Sequence, residues 1–197
     1  MTKKKSLYSL KEIAIGAGKA VITPAEIANI LGKPKSFGAV YASRLVKKGL
    51  AKRLMRGKLA LVDDDFAIAS QLINPAYISL DSALLFHGII QQVTKEIECV
   101  TTVNSIKLEK LGIVYHKIPP SLFYGYTRMD RGQSYAFVAE PEKALIDGAY
   151  LGVYVKDRLI EYSSNVNKNR LRELASMYKG YGSRNIIRVI ESLTRAH

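Results

Sequence analysis

The forty residues from Thr23 to Val62, TPAEIANILGKPKSFGAVYASRLVKKGLAKRLMRGKLALV, constrain this chain most, because helix starts and stops follow one another closely along them. Thr23 is read as an N-cap and Pro24 suits the first helical position. Ile27, Ile30 and Leu31 then mark one buried face, and Gly32 stops the helix. After Lys33-Pro34-Lys35, Ser36 is expected to cap a second helix running to about Lys48, which Gly49 ends. Two basic strands follow, about Leu50 to Leu54 and Lys58 to Val62, turned through Met55, Arg56 and Gly57.

Helix, turn, helix and basic hairpin, in that order, predict a winged helix-turn-helix. In that arrangement the second helix enters the major groove of DNA and the ribbon grips the neighbouring backbone. At about 100° per residue, Gly38, Tyr41, Ala42 and Leu45 share one side of the second helix, and Ser36, Val40, Ser43 and Lys47 form the opposite stripe. The first set is the core face, with Gly38 and Ala42 small enough for close approach. The second is the reading face. Ser36 and Ser43 suit bases or phosphates, Val40 suits a thymine methyl, and Lys47 with flanking Arg44 suits guanine edges or phosphate oxygens. With Lys33, Lys35, Arg53, Arg56 and Lys58 these make up the candidate DNA-binding residues. The bland alternative is a solvated basic helix, which lacks a reason for the turn and wing to accompany the charge.

Charge supports the same stretch. The formal net charge is +13, and residues 1–62 hold 11 Lys and 3 Arg against only Glu12 and Glu26, so +12 of the excess lies there. The rest of the chain is close to neutral. A membrane surface also attracts basic charge, but charge carried on a helix-and-wing pattern fits a phosphate backbone better.

At 197 residues, 48% of them hydrophobic, the chain suffices for one large or two small domains. No apolar run approaches the roughly 20 residues of a membrane span. Met1 to Lys5 is basic without an apolar segment behind it, so a cytoplasmic protein is expected. Cys99 is the only cysteine, which excludes an intrachain disulfide and a cysteine-built zinc site. No metal or cofactor is expected.

Lys3 to Lys5 form a basic arm suited to extra phosphate contacts. From Ser6 to about Ala17, Leu7, Leu10, Ile13 and Ile15 predict a first helix stopped by Gly18. The winged domain is therefore placed at residues 1–62. Asp63-Asp64-Asp65 reverses the charge and opens a linker, residues 63–74, or a connecting helix over Phe66 to Leu72. Residues 75–197 form a second, mixed α/β domain. A helix capped by Ser79 runs to His87, strands lie at about Glu98 to Thr102, Val114 to Ile118 and Tyr135 to Val138, and Pro119-Pro120 breaks the chain. Pro141 starts another helix, with Glu140 and Glu142 near its positive end and Ala144, Leu145, Ala149 and Leu151 as apolar positions. Two C-terminal helices, about Asn167 to Tyr178 and Ser183 to Ala196, complete an α+β chain. The last is apolar at Ile186, Ile187, Ile190 and Leu193, a stripe wide enough for core or a partner surface, of which core is the commoner use.

YISLDSALLFHGI (Tyr77 to Ile89), ECVTT (Glu98 to Thr102), IPPSLFYGY (Ile118 to Tyr126) and YAFVAEPEKALIDGAYL (Tyr135 to Leu151) resemble the AbiEi antitoxin family. The resemblance covers about residues 5 to 151, and AEPEKALID is its most specific run. It implies an N-terminal winged helix-turn-helix before a C-terminal antitoxin domain. It also implies repression of the protein's own operon through inverted repeats in its promoter, and neutralisation of a nucleotidyltransferase toxin encoded beside it. The charge asymmetry agrees with the first implication. The second rests on the resemblance alone.

Two rivals stand beside this reading. A Mg²⁺-dependent nuclease would use Asp81, Glu140, Glu142 and Lys143, but their spacing is wrong for the PD-(D/E)xK pattern, and Pro141 makes this a helix start where carboxylates stabilise. Ser79, Ser82 and His87 likewise have a structural reading as capping and packing residues. With no GxxxxGK, GxSxG or paired metal-ligating histidines, no catalytic residue is assigned and the chain is expected not to be an enzyme. The other rival is a plain winged-helix regulator whose second domain senses a ligand or mediates assembly. Without coiled-coil heptads, an inverted repeat is open to two monomers or to a homodimer.

Overall fold

The computed structural model describes residues 6–180 and 186–191 of a mixed α+β protein. Two compact units divide it: residues up to Leu72 together with Met129–Ala136, and Ile73–Arg128 together with residues from Phe137 onward. The expected arm at Lys3 to Lys5 lies outside the described residues.

The first unit opens with helix α1 (Leu7–Gly16), where Ser6 Oγ accepts the Ser9 N–H at 3.1 Å as its cap. A two-residue strand that the sequence reading lacked, β1 (Val21–Ile22), comes next, followed by α2 (Pro24–Leu31) and α3 (Lys35–Lys47). Thr23 and Glu26 close a capping box at the start of α2: Thr23 Oγ1 accepts from the Glu26 amide at 3.2 Å and Glu26 Oε2 accepts from the Thr23 amide at 2.8 Å. Gly32 ends α2 in the left-handed conformation, φ +62°. Strands β2 (Lys52–Met55) and β3 (Lys58–Ala60) form a hairpin, and β1 adds to it in the order β1-β3-β2. All pairs are antiparallel, with Val21 opposite Ala60 and Arg53 opposite Leu59.

Two details correct the sequence reading, and a third decides between its alternatives. Pro34, not Ser36, takes the half-in position before α3, so that helix starts two residues early without a side-chain cap and leaves Ser36 exposed in its first turn. Both hairpin strands are shorter than expected, losing Leu50, Ala51, Leu61 and Val62 at the ends away from the turn, and the register shifts between Arg53 and Met55. Of the two readings of residues 63–74, the structure shows the helix: α4 spans Asp65–Leu72, one residue longer than expected, and falls within the first unit. Asp64 caps it by accepting the Ala67 amide at 2.7 Å and also pairs with Arg131.

Leu10, Ala14, Ile22, Ile27, Tyr41, Ala42, Leu45, Leu59 and Leu61 make one core between α1, α2, α3 and the small sheet. Gly38 is where α3 meets α2: a Cβ there would lie 2.0 Å from the Pro24 carbonyl oxygen. Gln71 of α4 closes the unit, its Oε1 accepting from the Ala20 amide at 2.9 Å and its Nε2 donating to Ser134 Oγ at 3.1 Å and the Tyr135 carbonyl at 3.0 Å.

The second unit is built on a six-stranded sheet. In chain order its elements are β4 (Ala76–Ile78), α5 (Leu80–Phe86), β5 (Ile97–Thr101), β6 (Ile106–Leu108), β7 (Ile113–Lys117), β8 (Tyr126–Asp130), β9 (Tyr135–Ala139), α6 (Pro141–Leu151), α7 (Lys156–Ser163) and α8 (Lys168–Met177). The strand order is β6-β7-β5-β4-β9-β8, with β4–β9 and β5–β7 parallel and β4–β5 and β6–β7 antiparallel. The outer ends of β8 and β9 fall within Met129–Ala136, the part grouped with the first unit. β4, β6, β8 and α7 are absent from the sequence reading: β4 and β6 have three residues each, and α7 starts without a side-chain cap. Residues 186–191 are helical with Ile186 and Ile190 buried; the remainder of the expected last helix, including Leu193, lies outside the described residues. Among the described residues no helix is long and apolar enough to cross a membrane.

Candidate nucleic-acid interface

Helix α3 divides cleanly into two faces. Gly38, Tyr41, Ala42 and Leu45 are buried, while Ser36, Val40, Ser43 and Lys47 are all exposed, or nearly so, as are Phe37, Ala39 and Arg44 beside them. Lys33 and Lys35 are exposed at the entrance to α3, and Arg53 and Arg56 are exposed on the hairpin; Lys58 is half-buried. Lys48 just after α3 and Lys52 on β2 are also exposed and extend the basic surface beyond the predicted set. Period-2 alternation conceals Lys52, because it would turn only one of two neighbouring strand residues outward.

These groups are left without acidic partners among the described residues. Among the described residues, no ion pair joins Lys33, Lys35, Arg44, Lys47, Lys48, Lys52, Arg53, Arg56 or Lys58 to a carboxylate, whereas Lys19 and Arg131 in the same unit pair with Glu26 and Asp64. Two cations lie over rings instead: Lys33 Nζ is 5.0 Å from the Phe37 centroid, and the Arg44 guanidinium 5.3 Å from that of Tyr41. The Arg44 contact supports that side chain at the rim of the exposed face while its donors stay free to point outward. This surface suits an extended polyanion.

The residues weighed as nuclease candidates are each engaged within the second unit. Glu140 holds Arg170 through two bonds of 2.7 Å, Glu142 accepts the Asn167 amide at 2.8 Å, and Asp81 accepts from Tyr154 Oη at 2.8 Å and pairs with Arg158 at 3.2 Å. Lys143 is fully buried and pairs with Asp147 one turn along α6. Asp147 Oδ2 also accepts from Ser79 Oγ at 2.7 Å and Tyr77 Oη at 3.0 Å. Burial pulls the Lys143 ammonium below its ordinary pKa against the opposing pull of Asp147, and it pushes the Tyr77 phenol up.

Ser79 therefore stands before α5 without capping it; its hydroxyl is committed to Asp147. Ser82 accepts the Glu98 amide at 2.9 Å, tying α5 to β5, and His87 Nε2 lies 2.8 Å from the Ala139 carbonyl oxygen. Asp147 escaped the sequence reading, although its i,i+4 spacing from Lys143 was available as a signal. Among the described residues no group of three or more His, Cys, Asp or Glu is placed to hold a metal ion. A cleft of about 360 Å³ lies in this unit, lined by Asp81, Gln92, Thr94, Glu96, Glu98 and Arg158 among others.

No family model and no curated protein matches this sequence.

Proposed function

We propose that the first unit is a winged helix-turn-helix that binds duplex DNA, with α3 in the major groove and the β2–β3 hairpin against the adjoining backbone. One observation carries this reading: the face of α3 turned away from the core, together with the hairpin, presents cations that no carboxylate neutralises among the described residues. Phosphates supply the missing counter-charge. Lys33, Lys35, Lys52, Arg53, Arg56 and Lys58 are assigned to the backbone, and Ser36, Val40, Ser43, Arg44 and Lys47 to the groove.

The resemblance in the second unit extends this to a DNA-binding antitoxin. In that reading it represses its own operon through promoter inverted repeats, filled by two monomers or a homodimer, and neutralises a nucleotidyltransferase toxin. The cleft beside Asp81 and Arg158 favours a second reading, a regulator whose second unit senses a small polar ligand. Co-expression with a nucleotidyltransferase encoded next to the gene separates the two. Restored growth supports the antitoxin, and continued arrest with both proteins present overturns it. DNA binding is tested by titrating the full chain against the duplex upstream of its own gene and against a scrambled duplex. Preference for the former is expected, and equal or absent binding to both overturns operator recognition.

A further inference from the structure

The exposed face of α3 is not uniformly polar. Phe37 and Val40 are 43% and 46% exposed, two large apolar side chains left uncovered on a helix whose remaining outer residues are small, hydroxylic or cationic. A solvated basic helix has no use for them, since each exposes apolar area that folding would otherwise hide. They lie three residues apart in the first half of the helix, the half that a recognition helix brings to the base edges. The helix KSFGAVYASRLVK contains no Asn, Gln, Asp or Glu. It therefore lacks the carboxamides that read adenine and the carboxylates that accept from cytosine.

What the major groove offers an apolar side chain is the C5 methyl of thymine. Three helical residues advance about 4.5 Å along the axis, and successive base pairs advance about 3.4 Å, so Phe37 and Val40 match methyl groups on neighbouring base pairs. Lys33 Nζ lies over the Phe37 ring, 5.0 Å from its centroid, which sets a cation directly beside that apolar side chain. We infer that Phe37 and Val40 determine sequence specificity by packing on the 5-methyl groups of adjacent thymines, with Arg44 and Lys47 supplying guanine or phosphate contacts farther along the helix. This inference rests on the DNA-binding reading above and names what that site selects.

The test uses the full chain and a random-sequence duplex pool. After enrichment, each thymine of a selected duplex is replaced in turn by uracil, which removes only the methyl group. At one or two adjacent positions the loss of affinity is expected to be about three- to five-fold, the worth of one buried methyl. In Val40→Ala or Phe37→Ala the corresponding uracil replacement is expected to make no further difference. Because both side chains are exposed, these variants are expected to unfold at the parent temperature, and the uracil series on the parent protein stands without them. Selected duplexes that bind equally well with uracil at every position overturn the inference while leaving DNA binding intact. Failure to retain any duplex overturns the DNA reading and, with it, this one.

Discussion

Gly38 lies against the Pro24 carbonyl with no room for a methyl group between them: a Cβ at residue 38 would be 2.0 Å from the oxygen and 2.7 Å from its carbon. The obstructing atoms are backbone, at the start of α2, and cannot rotate away. Gly38→Ala is therefore expected to force α3 off α2, costing about 1–3 kcal/mol as overpacking does. It should also reduce DNA affinity by tilting the exposed face. Thermal unfolding and a binding titration on the same sample check both, and an unchanged midpoint would show that the two helices do not meet as described.

The Lys143–Asp147 pair tests the second unit. Both side chains are fully buried, so removing one charge strands the other, at about 3–5 kcal/mol. Asp147→Asn and Lys143→Met should each destabilise strongly. The double variant should recover much of the loss, since the introduced carboxamide keeps an acceptor for Tyr77 and Ser79 and no lone charge remains. A double-mutant cycle by urea denaturation measures this, and purely additive losses would mean the two groups do not form a pair.

Glu140 gives a pH dependence. Its bonds to Arg170 hold the carboxyl below its ordinary value of 4.5, against partial burial, which alone would raise it. A carboxylate whose folded pKa is depressed contributes stability that is complete above its unfolded value and is lost as pH falls through the folded one. The unit should therefore lose stability below about pH 4.5, and Glu140→Gln should remove that part of the profile while lowering stability at neutral pH. Partial exposure of the pair keeps the effect small. Melting temperatures from about pH 3 to 7 for the two proteins decide it; parallel curves would contradict the assignment.

The sequence made the helices and hairpin of the first unit legible because each is punctuated by a residue with a single conformational use: Thr23-Pro24, Gly32, Gly49 and Gly57. The two faces of α3 followed from angle alone. What stayed hidden depended on distant partners. β1 is two residues long and exists by pairing with β3, and Ser79 looked like a cap because its bond to Asp147 spans 68 positions. Ser36 misled for a local reason, since Pro34 supplies the extended backbone that a capping residue would otherwise need. Phe37 went unassigned because it falls on neither the core stripe nor the opposite stripe, and only its exposure distinguishes it from core.

Salt dependence tests the DNA reading most directly. Affinity of the full chain for its promoter duplex, measured between about 50 and 300 mM salt, should fall steeply, with a logarithmic slope of about −0.9 for each phosphate the protein neutralises. Lys52→Ala and Arg53→Ala should each make that slope shallower by about one on any duplex, whereas Arg44→Ala and Lys47→Ala should cost about 1–3 kcal/mol and narrow the gap between promoter and scrambled DNA. Binding that ignores salt, or that survives all four substitutions unchanged, would contradict the account.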